Sequence, residues 1–336
     1  MASALITDLA GTTIDTQERA FLRECDPLGI IVFARNIENP KQLTALIKDF
    51  RDIVGRSDAP VMIDQEGGRV ARLRAPHWWG GVANGRIAAL EDDEAELAAW
   101  LAARVMAHDM AACGINVDCA PCLDLLVDGM HGVIGDRSFG SDPERVGRLG
   151  QAACEGFQAG GVQPMIKHMP GHGRVTVDPH DILPTADVDL ATLESQDFVP
   201  FRALADAPWG MTAHVIYPAL DAERPATQSA RVIREAIRGA IGFQGVLVSD
   251  AIDMEALSGS HEERARLSLE AGCDVVMHCN QTLDVRRRVA EAVPELAGVA
   301  LERVEAAAAR SAVPAAAGFD REGALARLES LLADQG

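Results

Sequence analysis

The densest chemistry in the chain lies in one stretch, KHMPGHGRVTVDPHDILP, residues 167–184. It carries His168, His172 and His180, with Lys167, Arg174, Asp178 and Asp181 around them. Histidine gives and takes a proton near neutral pH, so such a cluster suits acid/base work. Asp178-Pro179-His180 is its sharpest part. Proline disfavours helix for the residue before it, which leaves Asp178 extended and places its carboxylate to orient the imidazole of His180. Metal binding by the three histidines is the competing reading. It is the weaker one, because no helical His-Glu-x-x-His pattern accompanies them.

Asp250 ends the apolar run GVLVSD, where a short carboxylate can face a pocket. Its bland alternative is a helix N-cap, a common task for Asp at a strand-to-helix turn, although Ser249 could take that task instead. Asp253 and Glu255 are rival nucleophiles a few residues further on. DQEGGRVARLR, 64–74, supplies Asp64 and Glu66, then a glycine pair with Arg69 and Arg72. A carboxylate there can accept hydrogen bonds from sugar hydroxyls, and for Arg69 a structural ion-pair network is equally plausible. GDRSFG, 135–140, places Arg137 in a similar loop. The CxxC pair Cys119/Cys122 and the pair Trp78-Trp79 are read as packing residues, since no second cysteine pair completes a zinc site.

Something must bring these residues together. Short apolar runs recur, each followed by a helical pattern: ALITDLA (4–10), GIIVFA (29–34), PVMIDQ (60–65), INVDCAP (115–121), QPMIKH (163–168), GMTAHVI (210–216), GVLVSD (245–250) and CDVVMHC (273–279). Eight strands alternating with helices predict a parallel sheet closed into an α/β (β/α)8 TIM-type barrel. A doubly wound sheet would want a glycine-rich dinucleotide loop after its first strand, and DLAGTTID is not one. In a barrel, reactive residues gather at the C-terminal ends of the strands. That rule collects Arg35 and Asn36, Asp64 and Glu66, Lys167 and His168, His214, Asp250 and His278 at one mouth. The alanine-rich tail from about 281 to 336 is predicted to be a helical extension that completes the last barrel helix and packs outside, within a single domain spanning 1–336.

Composition narrows the classes. A net charge of −19 argues against nucleic-acid binding, which needs clustered Lys and Arg in excess. No run of eighteen apolar residues is present, so no membrane insertion is expected. Seven scattered cysteines and the absence of a secretory pattern at the N-terminus fit a reduced cytoplasm.

IVFARN, IDQEGGRVARLR, GDRSFG, KHMPGHG, DPH and VSDAIDME occur in an order that resembles glycoside hydrolase family 3, most of all its single-domain cytoplasmic β-N-acetylglucosaminidases. The resemblance runs from about residue 5 to 280. It implies Asp250 as nucleophile, His180 as general acid/base with Asp178 as its partner, and Asp64, Arg72, Arg137, Lys167 and His168 as residues that hold the terminal sugar. Other members carry a glutamate acid/base on a second domain; the single-domain reading of this chain leaves that role to His180. Met169 and Pro179 depart from the usual Phe and small residue of the family. The implied enzyme is a monomer that needs no cofactor and no metal, and removes terminal N-acetylglucosamine from muropeptides in peptidoglycan recycling. A phosphorylase or β-glucosidase of the same family, and a non-catalytic muropeptide-binding barrel, are the alternatives to be distinguished.

Overall fold

The computed structural model describes residues 1–129, 132–175, 177, 182–311 and 318–333. Eight parallel strands close into a barrel: β1 (Ser3–Asp8), β2 (Pro27–Val32), β3 (Val61–Ile63), β4 (Val117–Asp118), β5 (Gln163–Met169), β6 (Trp209–Thr212), β9 (Val246–Ala251) and β10 (Val275–Met277). Between the sixth and seventh of these an antiparallel hairpin, β7 (Ile216–Tyr217) with β8 (Asp221–Pro225), stands outside the barrel. β9 therefore pairs directly with β6, and β10 returns to β1.

Successive residues of a strand point to opposite faces, and here the two faces bury different things. Val61, Ile63, Ile30, Val32 and Leu247 join the larger apolar cluster beneath the helices, whereas Met62, Ile31, Val246 and Val248 join a second one with Trp209 and Met165. Burial on both faces is why the strands read as continuous apolar runs.

The helical tail does more than pack outside. Helix Leu283–Ala292 follows β10 as expected. The chain then pairs with the start of β1, with Ala4 N donating to Pro294 O at 2.9 Å and Leu296 N donating to Ala2 O at 2.8 Å. In helix Gly298–Ser311, Arg303 reaches Asp274 at 2.8 Å, and the side-chain amide of Gln163 donates to Ala307 O. Both partners lie at the N-terminal ends of their strands, so this helix closes the lower end of the barrel. Helix Arg321–Ala333 docks on helix Asp92–Cys113, with Arg321 forked onto Asp109 at 2.6 and 2.7 Å. Among the described residues no helix is long and apolar enough to cross a membrane.

Candidate active site

A cavity of about 220 Å³ opens at the C-terminal ends of the strands. This is smaller than the roughly 300–1,000 Å³ of pockets for drug-sized ligands, a size suited to one sugar unit. Asp64, Arg72, Arg137, Lys167, His168 and Asp250 all line it. Asp178 and His180 lie outside the described residues.

The β3 side of the wall is a charge lattice. Lys167, 2 % exposed, places its Nζ 2.8 Å from Asp64 Oδ1 and 2.7 Å from Glu66 Oε1. Arg137 forks onto the other side of Glu66 with two bonds of 2.8 Å. Burial alone pushes the Glu66 carboxyl up, but Arg137 and Lys167 outweigh it and hold the group well below the ordinary carboxylate range. Burial likewise works against the Lys167 ammonium, and Asp64 and Glu66 overcome it, so Lys167 stays charged. Arg72, 3.4 Å from Asp64 Oδ2, completes that edge.

Gln65, to which no spacing signal drew attention, supports this wall, as does Gly67 of the glycine pair. Gln65 accepts from the amides of Arg72 and Leu73 at 2.8 and 2.9 Å and donates to the carbonyls of Leu73 and Gly80 at 3.1 Å. Gln65 N in turn donates to Asp118 Oδ1 at 2.9 Å. Gly67 turns the loop at φ +94°. A Cβ there would lie 2.3 Å from the carbonyl oxygen of Val82, so only glycine fits.

Asp250 faces this wall from β9. Neither it nor Ser249 caps a helix. The next helix starts at His261 with Ser260 as its cap, and Ser249 Oγ accepts from Met277 N at 3.0 Å. Asp250 Oδ1 accepts from Ala251 N at 2.7 Å. Burial raises the Asp250 carboxyl, but His214, His168, the Ala251 amide and Lys167 together bring it below the ordinary value. The group is thus held as an anion, the form a nucleophile requires. His214 supports Asp250 from behind rather than lining the cavity. Its Nε2 donates to Ala251 O at 3.0 Å and its Nδ1 lies 2.8 Å from Thr227 Oγ1, while burial disfavours its charged form.

His168 reaches the cavity from β5, beside His172. Burial and the neighbouring His168 lower His172 to about 4, so it is neutral at physiological pH. The other polar residues expected at the mouth do structural work. Asn36 donates to Leu9 O and Gly11 O at 2.9 Å, Arg35 pairs with Asp8, and His278 pairs with His261 at 3.2 Å. Arg69 bonds Asp136 at 2.8 Å and the carbonyls of the 132–134 loop, the structural one of the two readings open for it. Asp253, by contrast, does line the cavity. Cys122, Asp124 and His168 place potential metal-ligating atoms within 4.8 Å of one another. Hydrogen bonds already occupy Asp124, and burial pushes the Cys122 thiol far up, which disfavours the thiolate a metal would need. Trp78 is buried in the core, as is Cys119.

Residues 6–312 match the glycosyl hydrolase family 3 N-terminal domain. The chain is 38 % identical over 316 residues to a β-hexosaminidase of Chromobacterium violaceum, covering 91 % of this chain and 87 % of the other. It is 42 % identical over 289 residues to a β-hexosaminidase of Alkalilimnicola ehrlichii, covering 82 % and 80 %. The crystal structure of NagZ from Neisseria gonorrhoeae in complex with N-trifluoroacetyl-D-glucosamine superposes with a TM-score of 0.81 at 32 % identity, covering 98 % of each chain.

Proposed function

This chain belongs to glycosyl hydrolase family 3 and is a glycoside hydrolase, a β-N-acetylhexosaminidase; from that premise we propose that it removes terminal β-linked N-acetylglucosamine with retention of configuration, using Asp250 as nucleophile. The observation that carries the proposal is the Asp250 carboxyl facing a sugar-sized cavity, opposite the lattice of Asp64, Glu66, Lys167 and Arg137.

Asp250 attacks the anomeric carbon while His180, oriented by Asp178, protonates the departing glycosidic oxygen. The bond to the leaving group breaks and a covalent glycosyl ester forms with inverted configuration. His180, now neutral, takes a proton from water, whose oxygen displaces Asp250 in a second inversion. The usual retaining pair is two carboxyl groups, and here a histidine–aspartate pair takes the place of one. Lys167, Arg72 and Arg137 donate to the hydroxyls of the terminal sugar. Asp64 accepts from them, and His168 adds a further contact. The N-trifluoroacetyl-D-glucosamine in the gonococcal neighbour supports an acetamido sugar in this position. The natural substrate we assign is N-acetylglucosaminyl-1,6-anhydro-N-acetylmuramic acid, with or without its peptide, which places the enzyme in cytoplasmic peptidoglycan recycling.

The test pairs aryl β-N-acetylglucosaminide with aryl β-glucoside in phosphate-free buffer, with Asp250→Ala as control. Strong preference for the acetamido sugar, lost in the variant, is expected. Preference for the glucoside, or turnover only after phosphate is added, would overturn the proposal.

A further inference from the structure

Asp124 belongs to none of the roles above, yet it is the most heavily engaged carboxylate beneath the cavity. It has no solvent exposure. Its Oδ2 lies 2.6 Å from His168 Nδ1, and its Oδ1 accepts the His172 amide at 2.6 Å. The His168 amide is 3.2 and 3.3 Å from the two oxygens, and the Cys122 thiol donates at 3.2 Å. We infer that Asp124 is a positioning residue that fixes the tautomer and ring orientation of His168, and so decides what His168 offers to a sugar.

The argument rests on what each atom can do. Burial works against an Asp124 anion, but the hydrogen bonds from His168 and from the His172 amide hold the carboxyl well below its ordinary range. An anionic oxygen only accepts, so His168 Nδ1 carries the hydrogen. In the neutral ring Nε2 then has the lone pair, and His168 is the part of this pair that lines the cavity. His168 thus accepts a hydrogen bond from a substrate hydroxyl, among neighbours, Lys167 and Arg72, that can only donate. The second oxygen ties down the backbone at His172, four residues along the same strand exit, so the ring and the chain that follows it are held by one group. The inference relies on the reading of His168 as a sugar contact for its kinetic consequence, though not for the tautomer itself.

Asp124→Asn keeps the shape and reverses one bond. The amide oxygen still serves the His172 amide, and the amide nitrogen faces His168 Nδ1, which must then accept. The proton moves to Nε2, where it opposes a donating hydroxyl. The experiment is ¹⁵N NMR of histidine-labelled protein at neutral pH, with the His168 signals identified by their loss in His168→Gln. Protonated Nδ1 with bare Nε2 is expected in the wild type, reversed in Asp124→Asn. In parallel kcat/KM of Asp124→Asn should fall by roughly 10–100-fold, the usual cost of losing such a supporting partner, and that loss should vanish in the His168→Gln background. Nε2 protonation in the wild type, or losses that simply add, would overturn the inference. The wild-type spectrum decides even if Asp124→Asn does not fold. It also decides if the wild type hydrolyses no glycoside, a result that would count against the proposed function alone.

Discussion

Lys167 sits between two carboxylates, Asp64 and Glu66, and is the cation that bridges them. Removing one partner of a buried ion pair leaves an uncompensated charge and costs about 3–5 kcal/mol. Lys167→Met is therefore expected to lower the urea-unfolding free energy by that amount as well as to weaken sugar binding. A loss confined to KM would show that the lattice does not contribute to stability. Glu66 makes a pH-dependent counterpart. Its folded pKa is depressed, so its stabilisation is present above the unfolded value of about 4.3 and is lost as pH falls below it toward the folded value. The difference in unfolding free energy between wild type and Glu66→Gln should be largest near neutrality and shrink below about pH 4.3. An unchanging difference from about pH 7 to pH 3 would mean that no proton is linked to Glu66.

His180 is tested by leaving group. A general acid contributes typically 10²–10⁴-fold where the departing oxygen needs its proton, so His180→Ala should lose roughly that factor on alkyl or disaccharide substrates and far less on activated aryl glycosides. Equal losses on both would remove His180 from the acid role. Asp250, Lys167 and His168 were legible in the sequence because each sits at a strand end and the barrel rule gathers strand ends. Asp124 was not. It is one acid inside the apolar run CLDLL, and its partners lie 44 and 48 residues away, a relation that only the fold creates.

At the scale of elements, the loop after β3 is where backbone and site depend on each other most closely. Gly67 approaches the Val82 backbone, and the same turn presents Glu66 to Lys167. Gly67→Ala is expected to cost more than about 1 kcal/mol, since neither the positive φ nor the space suits a side chain. It should also raise KM, because Glu66 and Arg72 flank the turn; unchanged melting and kinetics would show that the loop adapts. The eight strands were legible because burial on both faces leaves an unbroken apolar run bounded by glycine. The hairpin β7–β8 was not. The run GMTAHVI carried the sixth strand on to residue 216, whereas β6 ends at Thr212 and Ile216 pairs outward with Pro225. DAERP has no alternating pattern to mark it as a strand; its pairing with β7 comes from the tertiary fold.

For the whole molecule, the tail separates stability from chemistry. Its last helix buries Leu328, Leu331 and Leu332 against the barrel's helical layer, and Arg104 lies 3.6 Å over the Phe319 ring just before it. None of these residues lines the cavity. Truncating a buried leucine costs about 2–5 kcal/mol, the spread depending on how far the site collapses. Leu328→Ala should therefore lower the melting temperature, while kcat/KM measured well below the melt stays at the wild-type value. The physical reason is separation: the cavity walls are strand ends and the loops that leave them, and the last helix docks on helix Asp92–Cys113 of the outer layer. A fall in kcat/KM without any fall in melting temperature would mean that the outer layer sets the positions of the strand ends, so that the site is not held by the barrel and its charge lattice alone.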